Sequence, residues 1–328
     1  MKAMLDVRRA LRPWLQEMDS DSTILLGVSG GADSMALAYG VFHECDEALR
    51  PNLIPVVIDH GLQPGSKEVA ELVKVRLQEI GFDTVELHSI VVAIRDGMEA
   101  SARRARFELF SRLIEKYHPK YFLLGHTRDD QAETVLLGLS RGSGTRSLSG
   151  MAIRNGAFLR PLLDLTREET RLACVEAEIE IWDDPHNHDP SYARVRARRH
   201  VLPIMEAELG PGISAALARS AKILREDADA LDSWAEEIYS RVDPADIPVE
   251  VIAELPKAVR IRVLRRAIYS LGAPSGSITA EHLAPIEAFI TDWRGQGATS
   301  LPGGVKVARI SGRLSLLRLL PSSEEATE

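Results

Sequence analysis

The chain is predicted to be an α/β protein. A doubly wound, parallel five-stranded sheet leads into a helical linker and a small α+β domain. Three observations predict this. Short apolar runs recur at 24–28, 53–58, 85–91, 121–124 and 158–162. Helical patterns separate them at 33–44, 66–80, 98–117 and 129–139. After Gly210-Pro211-Gly212 the alternation stops, and one long amphipathic stretch precedes a mixed region. Continuous apolar strands separated by helices indicate a sheet buried on both faces. Right-handed crossovers wind such a sheet doubly, and its ligands sit beyond the strand carboxyl ends, where the strand order reverses. The expected divisions are a ligand-binding domain at 1–210, a long helix or linker at 211–245, a small domain at 246–320 and a polar, disordered tail at 321–328.

The first stretch, MKAMLDVRRALRPWL, carries apolar residues at Met4, Val7, Leu11, Trp14 and Leu15. That spacing is an amphipathic helix with internal charges, not the continuous apolar core of a signal peptide. The first strand, 24–28, runs into Ser29-Gly30-Gly31-Ala32-Asp33-Ser34, and a helical pattern follows at once. Strand, tight Gly-rich turn and helix start make either a phosphate cradle or an ordinary turn with Asp33 or Ser34 as N-cap. A Walker A lysine and a dinucleotide-type third glycine are both missing.

The second strand ends in Asp59-His60-Gly61-Leu62, a turn closed by an aspartate side chain or a crevice contact. In the next helix Arg103 and Arg106 share a face, turned to solvent or to a phosphate crevice. The fourth strand opens into LGHTRDDQAET. Gly125 allows the turn, His126 stands at its mouth, and Asp130 and Glu133 share one helical face. These are either an acidic helix cap or a site. The loop 141–147 is polar and basic, and reads as a phosphate contact or a plain surface linker.

Residues 180–203 hold Arg194, Arg196, Arg198 and Arg199 without an acid among them, a stripe that suits phosphate-rich partners. His186 and His188 lack spaced third and fourth ligands and read as loop polarity. Apolar positions from Ile213 to Ile238 at spacings of three and four form a packing stripe. Beyond it come a basic helix with Arg262 and Arg265, open to RNA contact or to solvation alike, and terminal strands at 305–310 and 314–319.

Composition bounds the classes. With 328 residues, 45% hydrophobic and 27% charged, the chain is of ordinary globular make-up, and its apolar runs are too short to span a bilayer. Cys45 and Cys174 form no C-x-x-C pair. That argues against a disulfide scaffold, a zinc site or an iron–sulfur cluster, and fits a reducing cytosol, so a cytoplasmic protein with no membrane partner is expected. A net charge of −8 argues against indiscriminate nucleic-acid binding but leaves local basic patches open.

SGGADS resembles the PP-loop of ATP pyrophosphatases. Followed by DHGL, Ala-Arg-x-x-Arg-Phe, LGHTRDDQAET and Asp-x-x-Asn-x-Asp-x-x-Tyr-x-Arg, it resembles the tRNA(Ile)-lysidine synthetase family over residues 20–205, in a short form. His186 and Val195 depart from the residues many members carry there. The resemblance implies an adenine-nucleotide α-hydrolase-like sheet that uses ATP and Mg²⁺. It implies activation of C2 of the wobble cytidine of tRNA(Ile) with a CAU anticodon, and displacement of AMP by free L-lysine. It assigns Ser29, Gly30, Gly31, Ala32, Asp33, Ser34 and Asp59 to ATP, and Asp33 and Asp130 to the metal. Arg103 and Arg106 would stabilise the phosphorus, His126 would touch ATP or base, and Asp130 or Glu133 would meet the lysine ammonium. Arg194, Arg198, Arg262 and Arg265 would meet tRNA phosphates. The oligomeric state stays open, a homodimer included. Two other readings remain: a PP-loop tRNA thiolase, which would need reactive cysteines, and an ATP-binding protein without turnover. A PP-loop amidotransferase is disfavoured, since no glutaminase domain precedes residue 20.

Overall fold

The computed structural model describes residues 2–61, 65–90, 98–142, 144–274 and 276–319, with 98–100 as backbone only. Leu62, the end of the third predicted strand at 91, Ser143 and the tail 321–328 lie outside them. The chain divides into two compact units, Met1–Arg225 and Glu226–Glu328.

The first unit begins with α1 (Lys2–Leu15), β1 (Ile24–Val28) and α2 (Ala32–Glu44). There follow β2 (Leu53–Asp59), α3 (Ser66–Ile80), β3 (Glu86–Ser89), α4 (Met98–Tyr117) and β4 (Tyr121–Leu124). The unit continues with α5 (Arg128–Ser140), α6 (Thr145–Leu148), β5 (Arg154–Asn155), β6 (Phe158–Leu159) and α7 (Arg167–Glu176). Its last elements are α8 (Ala193–Arg196), α9 (Leu202–Glu208) and the start of α10 (Ile213–Tyr239).

The strand order is β3-β2-β1-β4-β6-β5, with β1 paired in parallel to both β2 and β4. The α/β sheet was legible from the alternation, but it has six strands rather than five. The sixth, β5, is two residues long and antiparallel to β6. A two-residue turn joins them, with Gly156 at φ 58°. Two exposed residues cannot show a period, so nothing but Asn155-Gly156 marks the hairpin.

β1 is buried on both faces because its residues alternate between two cores. Ile24, Leu26 and Val28 pack with Val7 and Leu11 of α1 and Met35 and Leu37 of α2. Leu25 turns the other way, to Leu109, Phe110 and Leu113 of α4 and Phe122 of β4. Each such aliphatic side chain contributes roughly 1.5–3 kcal/mol on full burial. The carboxyl ends of β1 and β4 lie side by side, Gly27 opposite Leu124. This is the reversal point, with β2 on one flank of β1 and β4 on the other.

The second unit holds the rest of α10, β7 (Asp246–Pro248), α11 (Val249–Ala253), α12 (Lys257–Ser270) and α13 (Ala280–Thr291). It ends in β8 (Thr299–Leu301), β9 (Val305–Ile310) and β10 (Arg313–Arg318). Its antiparallel sheet runs β7-β10-β9-β8. Val259, Val263 and Ile268 of α12 pack with Ile286 and Phe289 of α13 and with Val305, Val307, Leu314 and Leu316 of the sheet. Among the described residues no single helix is long and apolar enough to cross a membrane.

Candidate active site

β1 delivers the chain into the Ser29–Ser34 turn. Gly30 sits at φ 84°, and a Cβ on it would stand 2.5 Å from Val73 Cγ2. Both facts require glycine there. Gly31, not Asp33 or Ser34, holds the N-cap position. The Ser34 hydroxyl accepts from the Ser29 N–H at 3.1 Å and donates to the Gly31 carbonyl at 3.0 Å. It fixes the turn's shape, which leaves first-turn N–H groups of α2 to face an anion. Trp182 clamps the turn, its backbone N–H donating to the Gly30 carbonyl at 2.8 Å.

The end of β4 closes against this turn. A Cβ on Gly125 would lie 2.8 Å from the Asp33 carbonyl oxygen and 2.9 Å from its carbon. Glycine is therefore what lets the two loops share one cleft. The cleft has a volume of about 880 Å³ and is lined from both loops, from Asp59 and His60, from Arg103 and Arg106, and from Trp182 to His188.

Its charged centre is a network of carboxylates and guanidinium groups. Asp33 accepts from the Thr170 hydroxyl and lies 3.7 Å from Arg167 Nε. Asp130 Oδ2 accepts from the Thr127 N–H at 2.9 Å and hydroxyl at 3.0 Å, while Arg167 Nη2 donates to its Oδ1 at 2.8 Å. Glu133, fully buried, accepts from Arg198 Nε at 2.6 Å and from Arg167 Nη1 at 3.3 Å. Arg194 Nε stands 3.6 Å from Glu133, and its Nη2 donates to Thr134 at 3.1 Å.

Arg194 and Arg198, expected on tRNA phosphates, thus turn inward onto Glu133. Arg198 does so from a π-helical turn, 197–201, a geometry that recurs at functional sites. The basic helix of the second unit is also engaged within that unit. Arg262 Nε donates to Asp232 at 2.7 Å, and Arg260 is buried against Glu287. Arg265 Nε is buried without a hydrogen-bond partner among the described residues. Asp59 closes its own turn through the Gly61 N–H at 2.8 Å while lining the cleft. His188 pairs with Asp183 at 3.2 Å, in keeping with loop polarity. Among the described residues no cluster of metal-ligand type stands out.

Burial raises Asp33 to about 6, with the Asp130 charge adding to it and Thr170 and Arg167 opposing. For Asp130 burial pulls the same way, but Arg167, His126 and the Thr127 N–H hold it below the usual carboxylate range. Burial drops His126 to about 4, so its imidazole is neutral at physiological pH. Arg106 falls to about 10 through burial and the nearby charges of Arg103 and Arg194. Two carboxylates bearing hard oxygen donors, one destabilised by burial and by the other's charge, suit an oxygen-seeking divalent cation. Asp33 and Asp130 are therefore the pair that could hold such a cation.

The sequence reading missed Arg160, Arg167, Thr170 and Trp182. A signal existed for Arg167. Thr166-Arg167-Glu168-Glu169 is a capping box, formed by Thr166 and Glu169. It places an arginine at the positive end of a helix, where local electrostatics disfavour it. Cys45 and Cys174 are buried, and burial raises Cys174 to about 12. Neither thiol has the electropositive, accessible setting that a reactive thiolate needs.

Residues 4–205 match the PP-loop domain family, and residues 248–315 match the TilS substrate binding domain. A tRNA(Ile)-lysidine synthase of Thermobifida fusca is 45% identical over 310 residues, covering 94% of this chain and 95% of the relative. One from Streptomyces coelicolor is 48% identical over 296 residues, with 89% and 84% covered. Among solved structures, a U34-tRNA thiolase NcsA from Methanococcus maripaludis with its [4Fe-4S] cluster superposes with a TM-score of 0.57 at 17% identity. It covers 68% of this chain and 80% of that one, a likeness of fold alone.

Proposed function

From the premise that this chain belongs to the tRNA(Ile)-lysidine synthase family, we propose that its cleft ligates free lysine to the wobble cytidine of tRNA(Ile) with a CAU anticodon through an adenylated intermediate. The observation that carries this is the contact of Gly125 with Asp33, which joins an ATP-binding turn and a buried carboxylate pair in one cleft. The turn 29–34 holds the β and γ phosphates of ATP by backbone N–H groups at the start of α2. Asp33 and Asp130 would hold Mg²⁺, which supplies charge neutralisation between phosphates when bound.

The cytidine O2 attacks the α-phosphorus, the α–β bridging bond breaks and pyrophosphate leaves. Arg103 and Arg106 stabilise the charge that builds on the phosphorus oxygens. The lysine ε-ammonium then loses a proton. Where the metal engages both Asp33 and Asp130, Glu133 is the carboxylate left to receive the ammonium. The amine bonds to C2 and the C2–O bond breaks, so AMP departs with the former O2. Neutral His126 accepts or donates a hydrogen bond at ATP or base without adding charge.

The test combines the protein, ATP, Mg²⁺, radiolabelled lysine and tRNA(Ile) bearing CAU. Label in tRNA with release of AMP and pyrophosphate is expected. ATP-competent protein that leaves the tRNA unlabelled overturns the proposal.

A further inference from the structure

One arginine of the cleft, Arg160, has no part in this chemistry. With Arg106 and Arg194 it bears on the imidazole of His126. His126 Nδ1, Arg106 Nε and Arg160 Nε are buried there without a hydrogen-bond partner among the described residues. Arg160 is the most telling of them. It is 7% exposed, lines the cleft, and has only Nη1 engaged, donating to the Ala152 carbonyl at 2.9 Å. No carboxylate pairs with it among the described residues. The charges bearing on it are those of Arg103 and Arg225, which with burial push its pKa down. A buried guanidinium without an acid is costly, and an anionic ligand is the usual compensation.

We propose that Arg160 recognises the α-carboxylate of the free amino acid. The inference rests on the lysine-ligating reading above and adds a specificity residue to it. Two features favour a carboxylate over an RNA phosphodiester. Arg160 is enclosed, which admits a small ligand more readily than a polynucleotide backbone. The Nε edge of its fork is the side left without a partner among the described residues, and that edge matches a planar carboxylate.

The test compares lysine with lysinamide, which keeps the ε-amine and lacks the carboxylate charge. Intact protein should use lysine about 100-fold better in kcat/KM, as expected when a buried charge loses its partner. R160M should lower kcat/KM for lysine by a similar factor, mainly through KM. It should leave lysinamide within about threefold, and R160K should recover part of the loss. Pyrophosphate release from ATP and tRNA without lysine should not change. Equal use of lysine and lysinamide by the unaltered protein overturns the inference, and needs no variant to fold. So does an R160M protein whose KM rises for tRNA but not for lysine, which would mark a phosphodiester site. If unaltered protein fails to label tRNA from lysine at all, the ligase reading itself falls instead.

Discussion

Gly125→Ala tests whether the two loops share one site. The added Cβ would stand 2.8 Å from the Asp33 carbonyl oxygen, 2.9 Å from its carbon and 3.1 Å from Ser34 Cα, against an ordinary contact of 3.4–4 Å. All three neighbours are backbone, so no side chain can swing aside. The turn 29–34 must retreat from β4 by several tenths of an ångström. Overpacking of this kind costs about 1–3 kcal/mol. Loss of glycine entropy in the unfolded chain offsets roughly 0.4–1 kcal/mol of that. At about 2–4 °C per kcal/mol for a unit of this size, the melting temperature should fall by up to roughly 10 °C. The functional effect should be larger, because the retreating residue is Asp33. Misplacement by an ångström can cost on the order of 100-fold, so a 10- to 100-fold loss of pyrophosphate release is expected. The assay pairs a thermal melt with tRNA-dependent pyrophosphate release. Gly297→Ala, which meets nothing within 4 Å, is the control. A Gly125→Ala protein with the melting temperature and ATP turnover of the control would refute the shared cleft.

Thr170→Val removes the hydroxyl that donates to Asp33. An unsatisfied buried acceptor costs about 1–3 kcal/mol, so pyrophosphate release should fall roughly tenfold or more, and Thr170→Ser should restore it. Glu133→Gln keeps the shape but removes the charge facing Arg167, Arg194 and Arg198. Breaking a buried pair costs about 3–5 kcal/mol, and the arginines, 24–29% exposed, discount this to roughly 2–4 kcal/mol in a denaturant titration. Lysine incorporation should drop by about 100-fold or more, measured as tRNA-linked label. Cys174, at about 12, is a neutral thiol at any working pH, and thiolate chemistry would appear only as pH rises towards that value. Cys45 and Cys174 should therefore resist iodoacetamide at pH 8 until the protein is denatured, and a double Ser variant should keep its activity. Loss of turnover in a folded double variant would reopen the thiolase reading.

What the sequence made legible follows physical lines. β1, β2 and β4 are short apolar runs covered on both faces, so their ends could be read nearly to the residue. β5, β7 and β8 are two or three residues long, too short for any period to show. Their existence depends on a neighbouring strand rather than on their own residues. The site divides in the same way. Residues 29–34 and 124–134 each carry their chemistry contiguously, so turn and carboxylates could be read together. Arg160, Arg167 and Thr170 lie in separate stretches and gain meaning only when β6 and α7 bring them to the cleft. Arg194 and Arg198 were visible, but their direction was not. Spacing places them on one face of a turn without saying that a buried Glu133 waits opposite.

The charge of the whole chain conceals that of its cleft. The protein carries −8, yet among the described residues eight arginines and five aspartates line the cleft and no lysine does. A surplus of cations is what ATP and an RNA substrate require, since both arrive as polyanions. The use of arginine alone suits the proposed reaction for a second reason. A guanidinium stays protonated and cannot act as a nucleophile, whereas the ε-amine of a resident lysine loses its proton readily when buried. Such an amine beside an activated C2 would compete with the free amino acid. Arg167, Arg194 and Arg198 instead neutralise Glu133 and Asp130 without offering the chemistry of the substrate. The missing Walker lysine belongs to the same logic. The turn 29–34 holds phosphate by backbone N–H groups, so the strongest positive charges of the cleft stay on side chains that cannot react.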